Sequence, residues 1–175
     1  NAKNQSDDDT PLHTAIFKNK IDAVKLLLPV SNKEAQDYLG DTPLHLAVCK
    51  NSPDILEVLL NNDCNIEAKT FIGNTPLYLA ARNGNVQILK KLLLMPNIII
   101  DNLNKWRESP LLIAAINGHR EVVECLIEKG ANPFIRTTYG QTISDLLQLR
   151  IDNPTKFNQE ARKRYSEGMS RQIRT

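Results

Sequence analysis

No apolar run in this 175-residue chain approaches the roughly 18 residues needed to cross a bilayer. The polar, acidic start also lacks the apolar centre of a signal peptide. The three cysteines, Cys49, Cys64 and Cys125, are too few and too scattered for a disulfide framework, and no C-x-x-C pair occurs. That usage points to a reducing compartment, the cytoplasm or the nucleus. Neither sign of charge dominates: 22 Lys and Arg against 20 Asp and Glu leave a net charge of +2, which argues against a surface built throughout for nucleic acid or membrane. Phosphate-binding glycine loops, H-E-x-x-H and G-x-S-x-G are all absent. The run Asp7-Asp8-Asp9 lacks the alternating ligands and closing Glu of a calcium loop. No enzyme, cofactor or metal centre is therefore expected.

The 41% of hydrophobic residues suffice to bury a core in one compact domain or one short repeat array. Charge is unevenly spread. From Arg150 to Thr175 seven basic residues (Arg150, Lys156, Arg162, Lys163, Arg164, Arg171, Arg174) face three acidic ones (Asp152, Glu160, Glu167), so this end is basic and the body mildly acidic. The first residue is Asn rather than Met, which fits an excerpt of a longer chain.

One phrase recurs in decaying form: DTPLHTA from Asp9, DTPLHLA from Asp41, NTPLYLA from Asn74, ESPLLIA from Glu108 and QTISDLL from Gln141. Its proline falls at Pro11, Pro43, Pro76 and Pro110, with Ile143 in the last copy, giving spacings of 32, 33, 34 and 33. Thr10, Thr42, Thr75 and Ser109 precede each proline, the arrangement of a hydroxyl N-cap before a first helical residue that needs no backbone donor. Leu12, Leu44, Leu77 and Leu111, with Ala15, Ala47, Ala80 and Ala114, then form one apolar face. Asn19, Asn51, Gly84 and Gly118 end that helix, because these residue types tolerate a left-handed backbone. A second amphipathic helix follows at Ala23, Val24, Leu27 and Leu28, and again at Ile55, Leu56, Leu59 and Leu60. The same spacing returns at Ile88, Leu89, Leu92 and Leu93, and at Val122, Val123, Leu126 and Ile127. Pro53 opens the second of these helices, while Pro96 and Gly130 close the third and fourth.

A period near 33 with T-P-L-H-x-A resembles the ankyrin-repeat family over nearly the whole chain. The resemblance implies an all-α solenoid of five helix-turn-helix units with short β-hairpin tips. The units are approximately 1–36, 37–69, 70–103, 104–136 and 137–175, the last a divergent C-terminal cap. There Ser144 replaces the core Leu, Leu147 replaces the small Ala, and the second helix is delayed to Asn153-Pro154, running to Tyr165 before Gly168. Gly40, Gly73 and Gly140 are expected at the turns of the tips. Asp8 and Arg107 stand in that position in the first and fourth units, and tips of altered shape or strained backbone are expected there.

His13 and His45 fill the histidine slot of the phrase, and Tyr78, Leu112 and Asp145 fill it later, so a bridging structural role is favoured over metal or catalysis. The cysteines lie in different contexts with no His and acid arrangement implied, and read as packed or partly exposed residues. His119, after Gly118, is expected at the surface. Two sets of residues exceed what the scaffold needs. One is the tips: Tyr38 and Leu39, Phe71 and Ile72, Trp106 and Arg107, and Tyr139. Stacking would align them into an apolar, aromatic ridge of the kind that marks partner sites, unless each ring packs on the next tip instead.

The second set, Phe17 and Lys18, Lys50, Arg82 and Ile116, falls on the concave side of the inner helices, the usual binding groove of the family. Its cations and apolar groups complement an acidic and apolar peptide or protein surface. The expected function is a non-catalytic protein-binding module, monomeric alone, in the cytoplasm or nucleus, or in a host cytosol for a bacterial or viral effector. Alternatives are nucleic-acid or anionic-lipid binding through Arg162, Lys163 and Arg164, and service as the substrate-recognition region of a larger enzyme.

Overall fold

The structure, a computed structural model, describes residues 9–152. Among these, four helix pairs and a ninth helix follow one another: α1 (Pro11–Phe17) and α2 (Ile21–Leu27), α3 (Pro43–Cys49) and α4 (Pro53–Leu60), α5 (Pro76–Asn83) and α6 (Val86–Leu93), α7 (Pro110–Asn117) and α8 (Arg120–Glu128), then α9 (Ile143–Asp152). The first helix of each pair stacks on the first helix of the next, making an inner row α1-α3-α5-α7-α9; α2, α4, α6 and α8 make an outer row. The second helix proposed for the last unit, from Asn153 to Tyr165, lies outside the described residues, as do Asp7, Asp8 and the basic run Arg162 to Arg164.

Each marker proline is the first residue of an inner helix. The side chains of Thr10, Thr75 and Ser109 accept the N–H three residues on, at 3.2 to 3.3 Å. Inner helices end at left-handed residues, Asn19, Asn51, Gly84 and Gly118, with φ of 52, 51, 72 and 78°. The core runs between the two rows. Leu12, Leu44, Leu77 and Leu111 are at most 1% exposed, and Ala47, Ala80 and Ala114 are fully buried, so neighbouring inner helices meet over methyl groups. The outer helices bury Val24, Leu56 and Leu89 against it. Ile127 departs from its pattern: its counterparts Leu28 and Leu93 are buried, whereas it stands 54% exposed at the end of α8.

The tips are turns, and no strand occurs among the described residues. Each tip is closed by two backbone bonds, such as Asp37 N–H to the Asp41 carbonyl at 3.0 Å and Gly40 N–H to the Asp37 carbonyl at 2.9 Å, and its limbs are too short to extend into a ladder. Asp37 and Asn104 close their turns with a side-chain oxygen that accepts two N–H groups, from Leu39 and Asp41, and from Trp106 and Glu108. Thr137 does the same for Tyr139 and Gln141, and Thr70 for Asn74. Successive tips are also joined: the Phe71 N–H donates to the Leu39 carbonyl (3.3 Å), Lys105 to Ile72 (3.0 Å) and Thr138 to Trp106 (3.0 Å).

Candidate functional site: the tip row and the inner helices

The tips project their residues in two grades of exposure. Tyr38 and Phe71 are each 44% exposed and Tyr139 56%, while Leu39, Ile72 and Trp106 are half-buried. Packing against the neighbouring tip accounts for part of this: a Cβ added to Gly40 would lie 2.8 Å from the Phe71 ring and 2.5 Å from the Phe71 nitrogen. The Phe71 ring is therefore partly seated on the neighbouring tip and partly open to solvent. Arg107, where its counterparts are Gly40, Gly73 and Gly140, adopts the same left-handed backbone, at φ 59°.

At the ends of the inner helices, Phe17 is 62% exposed and the Lys50 ammonium lies 3.3 Å from the centre of its ring, a cation–π contact between the first two units. Lys18 and Lys50 are exposed and Arg82 is half-buried, its Nε donating to the Asn83 side chain at 3.3 Å. Ile116 is a correction to the expected contact set: only 7% exposed, it packs with Leu112 against Leu146 of α9. The fifth inner helix covers the spot where Phe17 is open.

The histidines bridge units. Nδ1 of His45 accepts the Thr42 N–H at 3.2 Å, which places the ring proton on Nε2, and Nε2 donates to the Asn74 carbonyl of the next tip at 3.1 Å. His13 repeats this between Thr10 and the Asp41 carbonyl, 3.2 Å each. Burial pushes the His45 pKa down to about 4, so the ring is a neutral strut. In the third unit the Tyr78 hydroxyl makes the corresponding link to the Glu108 carboxylate at 2.8 Å. Leu112 has no such reach, and Asp145 caps its own helix through Thr142. His119 is half-buried, not a surface residue: its Nε2 meets the Arg82 carbonyl at 3.0 Å and its ring covers Gly84.

Beside the inner helices, burial raises the Asp41 pKa to about 6, with Asp37 adding to the shift and Arg82 opposing it. Burial also pushes the Cys49 and Cys64 thiols up to about 11, which makes thiolate chemistry unfavourable at either. Among the described residues no group of three or more His, Cys, Asp or Glu is arranged to hold a metal ion, and no helix is long and apolar enough to cross a membrane.

Sequence reasoning missed a second ladder, at the far loops. The Glu34 carboxylate accepts the Asn65 N–H (2.8 Å), Glu67 accepts the Ile99 N–H (2.8 Å) and Asp101 accepts the Asn132 N–H (3.1 Å). An acid at one position of the period was the available signal; the next residue in that series is Phe134, 80% exposed.

Paired helices in two rows, joined by turned tips and repeated at a period near 33, define a helical repeat protein. The description "Ankyrin repeats (3 copies)" matches the chain over residues 1–70 and 63–137, and the chain belongs to the ankyrin-repeat family. Domains of this family generally bind protein partners and are typically non-catalytic. Comparison with curated proteins finds no match.

Proposed function

We propose that this chain is a non-catalytic module that takes a protein partner on the tip row and the adjoining ends of the inner helices. Phe17, Lys18, Tyr38, Leu39, Lys50, Phe71, Ile72, Arg82, Trp106, Arg107 and Tyr139 form the contact set, and Ile116 drops out because it is covered. The observation that carries the reading is the row of tips chained by backbone hydrogen bonds: it holds Tyr38, Phe71 and Tyr139 half-exposed along one edge, where no core needs them.

Trp106→Ala tests it. The ring is half-buried and its neighbours are held by backbone bonds that the substitution leaves in place. The melting temperature should change little, whereas affinity for a partner recovered by cross-linking should fall by about 2 kcal/mol, as for a buried aromatic anchor. A variant that melts several degrees lower and retains its partner overturns the tip assignment.

A further inference from the structure

The ion pairs of this molecule are segregated. Lys90–Glu121, Lys91–Glu57 and Arg120–Glu124, the side-chain pairs found among the described residues, all belong to the outer row. On the opposite side, Lys18, Lys50, Arg82, Lys105 and Arg107 have no carboxylate at ion-pair distance among the described residues. Asp9 is exposed on that side, while other acids there hold local structure. Asp37 accepts the Leu39 and Asp41 N–H groups at 2.8 Å each. Glu108 accepts from Tyr78 and Asn104 at 2.8 and 2.9 Å, and Asp145 caps α9. Asp41 lies beside Arg82 and Asp37 with its carboxyl destabilised as an anion by burial. Lys50 has the Phe17 ring for a neighbour, whereas Lys90 and Lys91 of the outer row each have a Glu.

Accepting the protein-binding reading above, we infer that the partner presents an acidic segment, with its carboxylates over Lys18, Lys50 and Arg82 and its apolar side chains against Phe17 and the rings of Tyr38 and Phe71. Unneutralised cations flanked by exposed rings complement negative charge alternating with apolar bulk. A single-stranded nucleic acid is disfavoured because it wants a π face at each step, and Leu39 and Ile72 alternate with the rings here. The chain's own end from Arg150 to Thr175 is disfavoured too, since its seven basic residues against three acidic would be repelled.

The test is selection of random dodecapeptides displayed on phage against the whole chain. Sequences rich in Asp and Glu interspersed with Leu, Ile or aromatic residues are expected. A synthetic peptide of the most enriched sequence should lose affinity about tenfold between low and half-molar salt. It should lose at least as much to Lys50→Glu combined with Arg82→Glu, checked for intact helix content, and less to the milder pair Lys18→Gln and Lys50→Gln. Neutral or basic sequences, no enrichment above background, an affinity indifferent to the charge reversal, or tighter binding of a 20-nucleotide poly(U) RNA overturn the inference. Neutral peptides whose binding is abolished by Trp106→Ala would overturn it while leaving the protein-binding reading standing.

Discussion

A buried imidazole that must stay neutral and a half-buried carboxyl that resists ionising pull stability in opposite directions as pH changes. His45, held down to about 4 in the fold against 6.5 free, is protonated first in the unfolded chain, so its contribution is complete above pH 6.5 and is lost as pH falls toward 4. Asp41, raised to about 6 from 3.8, keeps its proton longer in the fold, so its effect destabilises progressively as pH rises from 3.8 to 6. The two slopes offset each other between pH 4 and 6. Asp41→Asn removes one of them, and Asn74 already fills the equivalent position one unit on. The variant should be more stable at pH 7 and should show a steeper gain in stability from pH 4 to 6.5, measured by urea denaturation at several pH values; a pH profile parallel to that of the parent contradicts the assignment. Arg107 offers a second residue-scale test. A side chain at φ 59° costs about 1 kcal/mol relative to glycine, part of which glycine's larger unfolded-state entropy cancels. Arg107→Gly is expected to raise stability by about 0.5 kcal/mol and to weaken an acidic partner; loss of stability would show that the guanidinium serves the fold.

At the scale of the turn, glycines with similar φ play different parts. Gly40, at φ 80°, meets the Phe71 backbone of the next tip, whereas Gly140, at φ 74°, has nothing within 4 Å of an added Cβ. Gly140→Ala should therefore cost only the left-handed backbone penalty, about 1 kcal/mol. Gly40→Ala adds a clash with the tip-to-tip bond and should cost roughly 2 kcal/mol or more; equal thermal shifts would mean that the tips are not locked together. The difference between these glycines is not legible in the sequence, where both sit three residues before the marker position. What was legible depends on local chemistry: Thr-Pro starts, Asn and Gly ends, and the buried Leu and Ala repeat. Ile116 was misplaced because its burial comes from Leu146, 30 residues away, in the copy whose phrase had decayed furthest. The same distance effect hid the half-burial of His119 under Arg82 and the acid ladder of Glu34, Glu67 and Asp101.

For the whole molecule, stability is a sum of units and of the interfaces between them, and the interfaces here are unequal. The main core runs continuously through the first four helix pairs, with α5 and α6 supplying Leu77, Ile88, Leu89 and Leu92 at 0 to 1% exposure and touching neighbours on both sides. The α9 helix joins it differently. Its fully buried contact is Leu146, in a small cluster with Leu112 and Ile116, with Ile143 partly buried against both this cluster and the main core, and Ser144, Asp145 and Leu147 face outward. With so little apolar area at stake, α9 is expected to open at a lower free energy than the middle of the stack, and its amides should exchange before those of Leu77 to Leu93. Leu146→Ala sharpens the test: removing about 2 to 4 kcal/mol from an interface this small should release α9 almost completely while leaving protection in α5 and α6 nearly unchanged. Release would also uncover Ile116, returning it to the exposed edge that Phe17 occupies in the first unit. If instead the substitution lowers protection uniformly from α1 to α9, the array unfolds as one cooperative body and the separation of the two cores has no energetic meaning.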